Sequence, residues 1–161
     1  MEQYQACAQE AKNLVKVADH MLIITYPLIK DPKLLLTIAQ KLFSALENSM
    51  SSLLYLERTF KRIGPFGDNF DSKFNIFRNE LVRRFNIRKD FIMLIQELRE
   101  IVLEHEKSPV EFRRKDSFVI CSDSYKVRSL SFEAMKKYVA RAKEFIYELE
   151  LLVSKNDRIL K

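Results

Sequence analysis

Only two glycines occur in 161 residues, and both fall in one short stretch, Gly64-Pro65-Phe66-Gly67-Asp68. Sandwiches and barrels reverse direction many times and draw on glycine at their tight turns. A chain this poor in glycine, with only four prolines, reverses seldom. Long helices with few connections follow. Hydrophobic residues at 47% supply a core, which excludes a mostly disordered chain, and the length suits one domain over residues 1–161. The expected fold class is all-α: a four- or five-helix antiparallel bundle with a small β-hairpin inserted before the last helix.

Apolar residues at helical spacing place the elements. Ala11, Leu14, Val15, Ala18, Met21 and Leu22 predict a first helix over 4–26, with Pro27 and Asp31-Pro32 punctuating its exit. Asp31 suits an N-cap, so a second helix begins there and runs to about Arg62. Its apolar face is wide, which makes it central. After the glycine break, a third helix starts near Asp68 or Asn69 and carries Phe70, Phe74, Phe77, Leu81 and Phe85. The stripe then slips across Asn86–Asp90 and resumes as Phe91, Leu94, Ile95, Leu98 and Val102. Either one helix bends there or two meet end to end, with Asp90 capping the second.

Pro109 stops that segment, and residues 109–116 read as a loop. Ser117–Cys121 and Tyr125–Arg128, separated by Ser122-Asp123-Ser124, read as a hairpin. An isolated hairpin is marginal, so it must lie on the helices. Ser131 caps a last helix through Leu152, and residues from Asn156 onward are expected to fray.

The net charge of +6 is unevenly placed: residues 61–90 hold eight basic and four acidic side chains, and most other segments balance. Such an excess permits an anionic partner such as RNA. Cys7 and Cys121 stand far apart, giving neither a disulfide framework nor a zinc motif, so a reducing cytoplasmic setting is expected. The N-terminus lacks the basic and apolar regions of a signal peptide, and no apolar run could span a bilayer, so no membrane partner is expected. No Walker loop, Gly-x-Ser-x-Gly or di-metal pattern occurs, and no metal or other cofactor is expected.

Three groups of residues suggest chemistry. Arg99 and His105 lie late in the long segment before Pro109. An imidazole that titrates near neutrality, beside a permanent cation, can act on a phosphodiester. The plainer alternative is a helix-end histidine packed with Leu98 and Val102. The basic run with Arg83, Arg84, Arg88 and Lys89 could hold a nucleic-acid strand, or be a solvated face over a packed helix. Arg113-Arg114-Lys115 could clamp a phosphate backbone, or be a loop balanced by Glu111 and Asp116. Glu97, Glu100 and Glu104 read as solvated helix charges.

An all-helical domain of this size, with Arg99 and His105 late in a central helix, resembles the HEPN superfamily. Many members of that superfamily are metal-independent ribonucleases, and their bundles often form two-fold dimers. Others only bind nucleotides, RNA or partner proteins. The resemblance implies attack by the RNA 2′-OH, with His105 moving the proton and Arg99 stabilising charge on the phosphorane. It also implies a homodimer and admits a protein partner. The family commonly has Asn, Asp or His after the arginine; here Glu100 follows.

Overall fold

The computed structural model describes residues 1–124 and 126–159, and of Arg158 and Ile159 the backbone alone. The chain runs α1 (Gln3–His20), α2 (Tyr26–Ile29), α3 (Lys33–Thr59), α4 (Phe70–Ile76), α5 (Val82–Arg84), α6 (Lys89–Lys107), β1 (Val110–Arg114), β2 (Ser117–Cys121), β3 (Val127–Leu130) and α7 (Phe132–Ile159). Two wide π-turns, Met21–Thr25 and Phe77–Leu81, join α1 to α2 and α4 to α5.

Four long helices make the bundle, and side-chain partners fix their directions. Tyr4 meets Asp157, Lys12 meets Glu150 and Asp19 meets Lys143, so α1 and α7 are antiparallel. Phe91 packs edge-on to Phe145 and Tyr138 bonds Glu97, so α6 also opposes α7. Helix α3 lies at the centre, against α1, α6 and α7. Its Leu35, Ile38, Leu42, Leu46, Met50, Leu53 and Leu56 are fully buried. Each such side chain contributes roughly 1.5–3 kcal/mol by leaving water. Phe77, Phe91 and Phe145 form an aromatic knot with centroids 6.1 and 5.3 Å apart.

The local signals act largely where expected. The Asn69 side chain accepts the Ser72 N–H at 2.9 Å, and Ser131 Oγ accepts the Ala134 N–H at 3.1 Å. The N-cap of α3 is Pro32, one residue later than the expected Asp31, though Asp31 Oδ1 still accepts the Lys33 N–H at 3.0 Å. Pro27, however, does not end the first helix. It falls in the first turn of α2, where its missing N–H costs little, and the π-turn before it widens the coil. The end comes at Lys30, which takes a left-handed conformation (φ 57°) and bonds back to the Tyr26 carbonyl at 2.7 Å. The second helix stops at Thr59, short of Arg62.

The expected hairpin is larger than its sequence signal. The β insertion is a three-stranded antiparallel sheet, β1-β2-β3, and residues 110–114, expected in a loop, form its first strand. Alternation in Val110-Glu111-Phe112-Arg113-Arg114 is masked by the charges, and pairing with β2 overrides that weak propensity. Tyr125 lies outside the described residues. The inner face of β2, with Phe118 and Ile120, joins the core over α3 and α6. Fraying from Asn156 is also corrected: α7 continues through Ile159, and Tyr4 Oη donates to Asp157 at 2.7 Å. Residues 160 and 161 lie outside the described part. Among the described residues no helix is long and apolar enough to cross a membrane.

Candidate nucleic-acid interface

The slip in the apolar stripe at Asn86–Asp90 is a corner between two helices. Helix α5 ends at Arg84, Asn86 takes a left-handed conformation (φ 52°), and Arg88 is extended before α6 begins. Asparagine tolerates that conformation better than most residues, because its short polar side chain can bond locally. The cap of α6 is thus Arg88, and Asp90, expected as the cap, sits two positions later within the first turn. The Arg88 guanidinium bonds both Asp90 oxygens at 2.9 and 2.6 Å, which holds the Asp90 carboxyl below the usual range.

This corner opens an outward groove of about 630 Å³. Arg78, Arg83, Arg88 and Lys89 line it, with Asn79 and Asn86 between them, over the apolar Val82 and Ile87. No carboxylate is among the lining residues. Among the described residues Arg78, Arg83 and Lys89 have no ion pair, although the Arg78 guanidinium covers the Phe74 ring at 5.5 Å. The N-terminus of α6 opens at the same corner and adds partial positive charge.

The seven cations expected to bind nucleic acid separate into three kinds. Arg83 and Lys89 face the groove. Arg84 is held instead by Glu57, which is fully buried at the end of α3 and also takes two 2.7 Å bonds from Arg62. This cluster ties α3 to the loop that follows it and to α5. Arg88 is shared between Asp90 and Glu144. Arg113 is held bidentate by Asp31 at 2.6 and 3.1 Å. Arg113's hydrogen bonds, with that of the Lys33 N–H, hold the Asp31 carboxyl down at about 2. Arg114 and Lys115 stand exposed at the tight β1–β2 turn.

Arg99 and His105 receive separate surroundings. The Arg99 guanidinium lies over the Phe70 ring at 4.7 Å and the Phe43 ring at 5.7 Å. Its Nε is sealed from solvent without a hydrogen-bond partner. The His105 ring, with 31% of its side chain exposed, instead holds Glu111 of β1 through Nδ1 at 2.7 Å. Six helical positions rotate about 120° and rise about 9 Å, which is why one side chain reaches α3 and α4 and the other reaches the sheet.

The acidic ridge of α6 is engaged rather than merely solvated. Arg128 of β3 bonds Glu104 at 2.6 and 3.2 Å and Glu100 at 3.2 Å. Burial, together with a hydrogen bond to Glu97, pushes the Tyr138 hydroxyl up to about 12. Among the described residues no group of three or more His, Cys, Asp or Glu side chains is placed to hold a metal ion.

Arg78, Asn79 and Asn86 complete the groove beyond the expected set, and the usable signal was the broken helical period beside a charge excess. Glu57 also had a signal, a lone carboxylate after Leu53-Leu54-Tyr55-Leu56. No protein-family model, curated protein or solved structure matches the chain.

Proposed function

We propose that the protein is a helical RNA-binding module that grips a phosphate backbone in the α5–α6 corner groove. One observation carries this reading: Arg78, Arg83 and Lys89 converge on an open groove without a carboxylate to neutralise them. Phosphate contacts position a strand without reading its sequence. Asn79 and Asn86 add neutral donors and acceptors suited to ribose hydroxyls. The phenylalanines of this region face the core, so base stacking contributes little. Affinity is therefore weakly sequence-dependent and strongly salt-dependent.

The test is titration of a fluorescent single-stranded RNA at several salt concentrations. Log affinity falls with log salt, and each lost phosphate contact lowers the slope by about 0.7. The variant Arg78→Glu/Arg83→Glu/Lys89→Glu loses binding. An unchanged slope in that variant rules out the groove.

A second reading, a HEPN-like metal-independent endoribonuclease, is favoured by the partly exposed His105 ring held by Glu111. A carboxylate on Nδ1 directs the other ring nitrogen outward as a proton carrier to the 2′-OH or the leaving 5′-oxygen. The arginine that the resemblance assigns to the phosphate is packed on Phe43 and Phe70, so His105 carries this reading alone. In this reading His105→Ala abolishes RNA cleavage in chelator while groove binding persists. Equal cleavage by the variant removes His105 from the chemistry.

A further inference from the structure

Strand β1 is an edge of the sheet, and its outward side is legible from its turn. Arg114 and Ser117 flank a two-residue connection, so they are a hydrogen-bonded pair, and bonded pairs then alternate along the ladder. Val110, Phe112 and Arg114 thus direct their backbone groups to β2. Glu111 and Arg113 direct theirs outward, to no strand among the described residues. The strand is also accessible: Val110 is 53% and Phe112 43% exposed. On their face of the sheet Val127 is also exposed, at 69%, while Val119 between them is buried. An open edge with exposed apolar side chains pairs with another strand unless something covers it.

We infer that β1 is a self-association edge: two copies of this chain join β1 to β1, antiparallel, about a two-fold axis at Phe112, merging two three-stranded sheets into one. The charges select the copy and the register together. An antiparallel pairing must place outward-directed residues opposite one another, which leaves axes at Glu111, Phe112 or Arg113. An axis at Glu111 sets carboxylate against carboxylate, and one at Arg113 sets guanidinium against guanidinium. Like charges directly opposite are unfavourable. The axis at Phe112 alone sets Glu111 against the other copy's Arg113, and symmetry supplies that pair twice.

These side chains lie on the inner face, where Glu111 already holds His105 and Arg113 already holds Asp31. Pairing extends them into one row of alternating charge running from Asp31 of one copy to His105 of the other. On the outer face the two Phe112 rings meet in a non-bonded pair, the closer of the two antiparallel spacings. This inference is independent of the RNA reading, since the groove lies at the opposite end of α6.

The test is the mass of the full chain in solution, by light scattering across the micromolar range. Twice the 19.1 kDa chain mass is expected, and a chain that stays at 19.1 kDa overturns the inference. Glu111→Lys and Arg113→Glu are each expected to halve the mass, because each sets like charges across the axis. Mixed in equal amounts, the two variants restore unlike charges at both positions and form a heterodimer. Single variants that stay dimeric, or a mixture that stays monomeric, overturn it. Phe112→Cys gives an independent reading that needs no charge change. The close pair at the axis lets it form an interchain disulfide under mild oxidation, at a yield above the unsubstituted chain. Equal yields overturn the axis at Phe112.

Discussion

The two ends of α6 are built from the same kinds of residues and end in opposite electrostatic states. At the C-terminal end each charge facing the sheet has a partner: Arg128 holds Glu104 and Glu100, and His105 holds Glu111. At the N-terminal end Arg78, Arg83 and Lys89 converge on a groove whose lining holds no carboxylate. The difference lies in what packs alongside. The sheet presents Arg128 and Glu111 to α6, whereas at the α5–α6 corner α7 brings Glu144 to Arg88 and no carboxylate pairs with Arg78, Arg83 or Lys89 among the described residues. A cation's usefulness to a ligand thus follows from whether the fold supplies an internal anion first. Arg83 and Arg84 make the point as neighbours, one facing the groove and the other bound to Glu57.

The largest expected effect lies at the buried Glu57 cluster beside α5. Arg62→Ala/Arg84→Ala leaves Glu57 fully buried with neither of its guanidinium partners. Removing the partners of a buried charge costs about 3–5 kcal/mol. In a chain of this length, thermal unfolding should drop by about 10 °C. A drop of only a degree or two would mean that Glu57 is reached by water.

Next come the groove cations. Arg83→Glu and Lys89→Glu should each weaken RNA affinity by about tenfold, the worth of one charge-assisted contact, while stability changes by under about 0.5 kcal/mol. Arg113→Ala, whose guanidinium is held by Asp31, should leave affinity nearly unchanged. Equal losses from Arg83→Glu and Arg113→Ala would erase the contrast between the two ends.

At the sheet end, Arg128→Ala removes three hydrogen bonds from the α6 carboxylates. A loss of about 1–2 kcal/mol by chemical denaturation is expected, because Glu104 is only partly buried and regains water. No loss would show that the pairs at this end are as weak as ordinary surface ion pairs.

The smallest effect is on acid stability. The Asp31 carboxyl titrates at about 2 in the folded protein against 3.8 ordinarily, so the unfolded chain takes up its proton first. Its stabilising contribution is present above pH about 4 and is lost as pH falls toward about 2. Asp31→Asn should flatten the stability–pH curve in that window and nowhere else. An unchanged curve would mean that Arg113 does not hold Asp31 in solution.

Much of the fold was legible locally. The glycine scarcity, the apolar stripes, the helix start near Asp68 or Asn69 and the cap at Ser131 each predict an element that forms, because helix termini and amphipathic faces are decided within a few residues. Strand β1 was not, since its alternation is hidden by charge and its stability comes from pairing with β2. The site was legible only as a charge excess. Seven cations looked alike in sequence, yet Arg84, Arg88 and Arg113 found carboxylates 27, 56 and 82 positions away. Arg99 and His105 looked like a pair by spacing, and their partners Phe43, Phe70 and Glu111 come from three other elements.

By itself, then, the sequence determined a helix-rich chain with a central apolar helix, a β insertion before the last helix and a basic stretch across residues 61–90. Those properties depend on neighbours within a turn or two. The tertiary structure decided which cations are neutralised, that Glu57 is buried, and that the broken stripe at Asn86 becomes an open corner. Ion pairing and exposure depend on groups far apart in the chain, and only packing brings those groups within a few ångströms.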